Sequence, residues 1–226
     1  MMDIKGILFD LDGTLVNTLP LCIEALRNAF LPFKGRALSD EEITAHFGLN
    51  EEGIIRNILA QRWQEGMEVY LRHYQRLHEE CREPFADMTT ALELLRQRGI
   101  PMAVVTGKGV QTARMTLQYT GIEHYFDKCE FGEVHANVKR EAIGRVLKAW
   151  KIEPGQAAYI GDAPSDIVEA TAAGVLPLAA RWAPTETIHR LTTIQPFVTF
   201  ESVQGFIDWL DKNVEPLHEM ALPPHQ

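Results

Sequence analysis

Short apolar runs of strand length recur along this chain, and a stretch with helical periodicity separates each from the next. IKGILF at 4–9, PMAVV at 101–105, AAYI at 157–160 and VLPLA at 175–179 are the clearest, and residues 197–200 offer a fifth. These runs are apolar throughout rather than alternating, which is how strands buried on both faces read. Helical patterns fall at 88–98, 109–120, 139–150, 164–173 and 201–212. Strands alternating with helices of this length predict an α/β fold, a doubly wound parallel sheet covered on both faces.

Residues 17–84 interrupt that alternation. Leu21, Ala25, Leu26 and Ala29, and then Met67, Tyr70, Leu71 and Tyr74, recur at helical spacing with almost no strand signal. Ser39-Asp40-Glu41-Glu42 has the Ser-x-x-Glu spacing of a capping box and marks a helix start. The expected organisation is a discontinuous core of residues 1–16 and 85–214, an inserted all-helical cap of residues 17–84, and a C-terminal tail of residues 215–226. The stripe of Trp63, Tyr70 and Tyr74 is expected to fill the cap's own interior.

Composition narrows the function classes. A chain of 226 residues that is 46% hydrophobic can bury a core without disulfide staples. Cys22, Cys81 and Cys129 are far apart and odd in number, which fits free thiols in a reducing compartment. A net charge of −9 argues against nucleic acid or an anionic membrane as partner. No apolar run approaches the roughly 20 residues of a membrane span, and the N-terminus carries no signal-peptide pattern. These features predict a cytoplasmic protein acting on a small molecule, as a monomer or homodimer.

Ligands of open α/β sheets bind beyond the carboxyl ends of the strands. The first run ends in Asp10-Leu11-Asp12-Gly13-Thr14, the second in Thr106-Gly107-Lys108, and the third in Gly161-Asp162-Ala163-Pro164-Ser165-Asp166; Lys139 opens the helix before the third. One sheet edge thus collects four carboxylates and two lysines. Asp10 and Asp12 are two residues apart and share a side of an extended segment. Crowded carboxylates repel, and a hard divalent cation with a preference for oxygen ligands would cancel their excess charge. Asp162 would complete its protein ligands. Each element alone is weak, since an Asp-x-Asp-Gly is often a turn and a Thr after a strand is often a helix cap. Their joint occurrence in order, at successive strand ends, points to an active site.

That combination resembles the haloacid dehalogenase superfamily of phosphotransferases over roughly residues 4–210, with a Rossmann-like core. DLDGT at 10–14 is similar to its first motif, Thr106 to its second, Lys139 to its third, and Gly161-Asp162 with Asp166 to its fourth. The helical insertion resembles the cap of the subgroup that includes phosphoglycolate phosphatases and β-phosphoglucomutases. The resemblance implies a phosphomonoesterase that uses Mg²⁺. Asp10 would attack phosphorus to form an aspartyl-phosphate, and Asp12 would protonate the leaving alcohol and then activate water. Asp10 and Asp162 would bind Mg²⁺ through carboxylates and Asp12 through its backbone carbonyl. Thr106, the Gly107 backbone and Lys139 would hold the phosphoryl group. Asp166 would stand behind them, orienting Lys139 or a metal-bound water.

Asp12 favours phosphoryl over halide chemistry, because a halide leaves without a proton and an alcohol does not. The alternatives are a phosphosugar mutase on the same site, a haloacid dehalogenase, and a catalytically silent phospho-accepting module. The last is opposed by the complete set of acids. Two departures from the resemblance stand out: Lys139 is followed by Arg140 rather than proline, and Asn17-Thr18 stands where an acid and a small hydroxyl residue are common. Gly48, in a turn between cap helices, and Arg56 beyond it are the candidate specificity residues. The substrate class is a small phosphate ester.

Overall fold

The computed structural model describes residues 3–185 and 194–217. Six parallel strands, β1 (Gly6–Phe9), β2 (Met102–Val105), β3 (Lys128–Glu130), β4 (Ala157–Gly161), β5 (Leu176–Ala180) and β6 (Val198–Phe200), form one sheet in the order β3-β2-β1-β4-β5-β6. The strand order reverses at β1, between β2 and β4, so the Rossmann-like expectation holds. Five of these strands coincide with the apolar runs. The sixth, β3, is a three-residue edge strand with an exposed Lys128, and it carries no apolar run for a sequence pattern to register.

Successive strand residues point to opposite faces, and each face has its own helices. Ile7, Phe9, Met102 and Val104 pack toward α5 (Met88–Gln97), α6 (Val110–Thr120) and α9 (Val203–Asn213). Leu8, Ala103, Val105 and Tyr159 pack toward α7 (Lys139–Trp150) and Ala170 of α8 (Pro164–Ala173). Both faces of β1 are therefore dry, which accounts for the unbroken apolar run that precedes Asp10.

The segment between β1 and β2 opens with four helices: α1 (Leu19–Lys34), α2 (Asp40–Thr44), α3 (Glu51–Leu59) and α4 (Trp63–His78). Ala25, Leu26, Ile54, Tyr70 and Tyr74 belong to a hydrophobic cluster distinct from those on the sheet. Ser39 and Glu42 make the reciprocal capping box at the start of α2. Tyr70 and Tyr74 are fully buried, inside that cluster. Among the described residues no helix is long and apolar enough to cross a membrane. The tail beyond residue 217 lies outside the described residues; before it, Leu217 N–H donates to Arg98 O at 2.9 Å.

Candidate active site

The carboxyl ends of β1, β2 and β4 meet at one sheet edge, and the charged residues of the strand ends converge there. Asp10 follows β1 directly, and its N–H donates to Ile160 O at 2.9 Å, so the sheet ladder fixes its backbone. The chain then turns back at Gly13, whose N–H donates to Val16 O at 2.9 Å. Gly13 has φ +77°, and a Cβ there would lie 2.1 Å from Asp162 Oδ2. The glycine of the Asp-x-Asp-Gly run is required twice over, for a left-handed backbone and for the approach of Asp162.

Lys139, the first residue of α7, reaches Asp10 Oδ1 at 3.2 Å and pairs closely with Asp166. It does so without a following proline. Asn137 Oδ1 accepts the Lys139 N–H at 3.1 Å and supplies the cap that Val138 cannot. Asp166 is fully buried and committed: Ala163 N–H donates to its Oδ2 at 2.9 Å, and Tyr159 OH donates to its Oδ1 at 3.3 Å. Gly161 gives Asp166 its room, since a Cβ there would meet Asp166 Cγ at 2.3 Å. Burial works against the Lys139 ammonium, but Asp10 and Asp166 overcome it and hold its pKa well above the ordinary range.

The carboxylate oxygens of Asp10, Asp162 and Asp166 lie within 4.8 Å of one another, and all three residues are buried. Burial pushes the Asp10 carboxyl up to about 7, opposed by Lys139 and assisted by Asp166 and Asp12. Asp162 also rises well above the ordinary carboxylate range, through burial and then through Asp166 and Asp10. Asp10 Oδ1 is buried and accepts no aligned hydrogen bond among the described residues. A buried carboxylate oxygen without an aligned donor, at a site rich in negative charge, fits a hard divalent cation.

Asp12 adds no carboxylate to this cluster. Its Oδ1 is held by the Thr18 hydroxyl and lies 3.3 Å from Lys108 Nζ. On the other side, Thr106 is buried at the end of β2, and its Oγ1 accepts the Lys108 N–H at 3.2 Å. Thr106, Gly107, Lys139 and Gly48 line a cleft of about 10 Å³, roughly one water molecule. Gly48, at φ +115°, thus shares a cleft with Thr106, Gly107 and Lys139. The Arg56 guanidinium pairs with Glu52 at 2.6 Å and stacks 3.9 Å from the Trp63 ring centre.

Lys108, Thr18 and Glu51 are among the neighbours of the site that have no role in the sequence pattern. Lys108 enters that reading only as a unit of charge, and Thr18 only as a departure. Glu51 carries no local signal, because its partners lie about sixty residues away at Gly109 and Thr112.

The profile of the haloacid dehalogenase-like hydrolases matches residues 7–180. The chain belongs to that family. It is 35% identical to a PpaX protein of Clostridium perfringens over 76% of this chain and 81% of that one. It is 27% identical to a phosphoglycolate phosphatase of Aquifex aeolicus, over 79% of this chain and 85% of that one. A haloacid dehalogenase-like family hydrolase from Streptococcus pneumoniae superposes with a TM-score of 0.75 at 25% identity, covering 93% of this chain and all of the other. This haloacid dehalogenase-like hydrolase is a phosphatase, as its family and its phosphatase-named relatives show.

Proposed function

We propose that this phosphatase is a Mg²⁺-dependent phosphomonoester hydrolase acting on a small phosphorylated metabolite through an aspartyl-phosphate on Asp10. The observation that carries the reading is the placement of Asp10 at the end of β1, 3.2 Å from the buried Lys139 ammonium and grouped with Asp162 and Asp166. A carboxylate so placed is restrained by its backbone and has a cation beside it. In the first half-reaction the bond from Asp10 Oδ to phosphorus forms, the bond to the leaving oxygen breaks, and Asp12 gives that oxygen a proton. In the second, water attacks phosphorus as Asp12 takes its proton, the bond from phosphorus to Asp10 Oδ breaks, and inorganic phosphate leaves with the Asp10 carboxylate regenerated. Thr106, Gly107 and Lys139 bind the phosphoryl oxygens where negative charge accumulates.

Asp10 and Asp162, with the Asp12 carbonyl, would hold Mg²⁺, which supplies positive charge against both the carboxylates and the phosphate. Asp166, committed to Lys139, Tyr159 and the Ala163 N–H, keeps the lysine in place. Residues 17–84 act as the cap that excludes water, and Gly48 in the lining of the cleft is its contribution to substrate choice. The names of relatives, pyrophosphatase PpaX in Anoxybacillus flavithermus and phosphoglycolate phosphatase in Aquifex aeolicus, favour a compact leaving group. Hydrolysis of an aryl phosphate with Mg²⁺ tests the proposal. Asp10→Asn should lower turnover by ~10³-fold or more, and a chelator should abolish it. Retained activity in Asp10→Asn rules out the nucleophile.

A further inference from the structure

A buried carboxylate joins α3 to the start of α6. Glu51, the first residue of α3, is only 4% exposed although it is charged. Its Oε2 accepts the Gly109 N–H at 2.6 Å, and its Oε1 accepts the Thr112 hydroxyl at 2.6 Å and the Tyr70 hydroxyl at 3.1 Å. Gly109 is the N-cap residue of α6 and has no side chain with which to satisfy that helix's first N–H groups. Glu51 accepts one of these, the Gly109 N–H itself, from another part of the chain. A Cβ at Gly109 would lie 2.7 Å from Glu51 Oε2, so the glycine also makes the space. Asn50 seats the same end of α3, its side chain donating to Gly132 O at 3.0 Å and its N–H to Glu133 O at 3.2 Å.

Lys108 joins this contact to the chemistry. Its ammonium, with a side chain 1% exposed, lies 3.1 Å from Glu51 Oε1 and 3.3 Å from Asp12 Oδ1. It sits 4.4 Å from the centre of the Tyr74 ring, and none of its N–H groups is aligned in a hydrogen bond among the described residues. Charge, not directed hydrogen bonding, holds it between the two carboxylates. Removing Glu51 would leave Asp12 as its one carboxylate partner and free the loop that carries it.

We propose that Glu51 and Lys108 are a positioning pair for leaving-group protonation: the cap seats Glu51 on the start of α6, Glu51 fixes Lys108, and Lys108 with Thr18 orients Asp12. The inference rests on Asp12 as the acid of the proposed reaction. Lys108 itself gives up no proton; the proton passes from Asp12 to the leaving oxygen as the phosphorus–oxygen bond breaks. Protonation is thereby tied to a seated cap, because the residue that completes the arrangement arrives with it.

The test compares kcat/KM for two esters that differ in their need of an acid. An alkyl phosphate needs its leaving oxygen protonated, whereas 2,4-dinitrophenyl phosphate expels a stable anion. Lys108→Met should lower kcat/KM for the alkyl ester by ~10²-fold, the scale of general-acid catalysis, and for the dinitrophenyl ester far less. Glu51→Gln, nearly isosteric, should shift the ratio in the same direction by a smaller factor. Equal losses on both esters, or no loss on either, would overturn the pairing. Amide exchange is independent of turnover: the Gly109 amide should exchange at least ~10-fold faster in Glu51→Ala, and unchanged exchange would also overturn it. Failure of the underlying reading looks different, since wild type would then cleave neither ester, or Asp10→Asn would cleave the dinitrophenyl ester as well as wild type.

Discussion

Lys139 Nζ pairs with Asp166 while lying 3.2 Å from Asp10 Oδ1, so one buried ammonium serves both the residue that follows β1 and a carboxylate of α8. The two acids make different demands on it. Asp166 is saturated with donors, whereas among the described residues Asp10 Oδ1 has no aligned donor of its own. The saturated partner fixes the lysine, and the unsaturated one keeps an oxygen available for chemistry.

Asp166→Ala should therefore be costly. It leaves Lys139 buried beside Asp10 without its closest partner and strips the Ala163 N–H of its acceptor. Breaking a buried pair by removing one member costs on the order of 3–5 kcal/mol. Asp166→Asn, which can still accept from Ala163, should lose less. Urea denaturation of both variants checks this, and an alanine variant as stable as wild type would contradict it.

The acidic cluster predicts how metal and proton compete. Asp10 is pushed up to about 7, chiefly by burial, and Asp162 is raised for the same reason. A carboxyl whose folded pKa exceeds its unfolded value, about 4, binds more protons in the folded state between the two. The metal-free protein thus loses stability from Asp10 as pH climbs from about 4 to about 7, and Asp162 acts in the same direction. Lys139, held well above its ordinary range, stays charged throughout that window. Because a metal needs ionised ligands, the rise in Tm produced by Mg²⁺ should be larger near about pH 7.5 than near about pH 5.5. Calorimetry at the two pH values measures it, and a larger rise at the lower pH would exclude these carboxylates as the ligands.

Gly13→Ala should impair both fold and site. The left-handed backbone at φ +77° costs an alanine on the order of 1 kcal/mol, and the 2.1 Å approach to Asp162 Oδ2 forces one of the two to move. The expected result is a loss of ~1–3 kcal/mol in denaturant unfolding together with weaker Mg²⁺ stabilisation. Unchanged Mg²⁺ stabilisation would show that Asp162 does not depend on the turn.

Much of this molecule was legible locally. Apolar runs doubly covered by helices marked five strands, and β3 escaped because an edge strand of Lys128, Cys129 and Glu130 has no need of an apolar pattern. Asp10, Thr106, Asp162 and Lys139 were legible because each stands at a strand or helix end, where sequence position fixes spatial position. Arg56, read as a candidate specificity residue from its distance beyond Gly48, pairs with Glu52 four residues before it and with Trp63 seven after it.

The sequence by itself determined the alternation that builds a parallel sheet, and with it the strand ends where acids, hydroxyl and lysine gather; both follow from short-range periodicity. Only the tertiary structure decided who partners whom across the cap. Glu51 meets Gly109, Thr112 and Lys108 because α3 docks on the start of α6, and Lys108 meets Asp12 because β1 and β2 are neighbours. Such contacts join residues about sixty to a hundred positions apart in the chain, and they exist only once the sheet has set their distance.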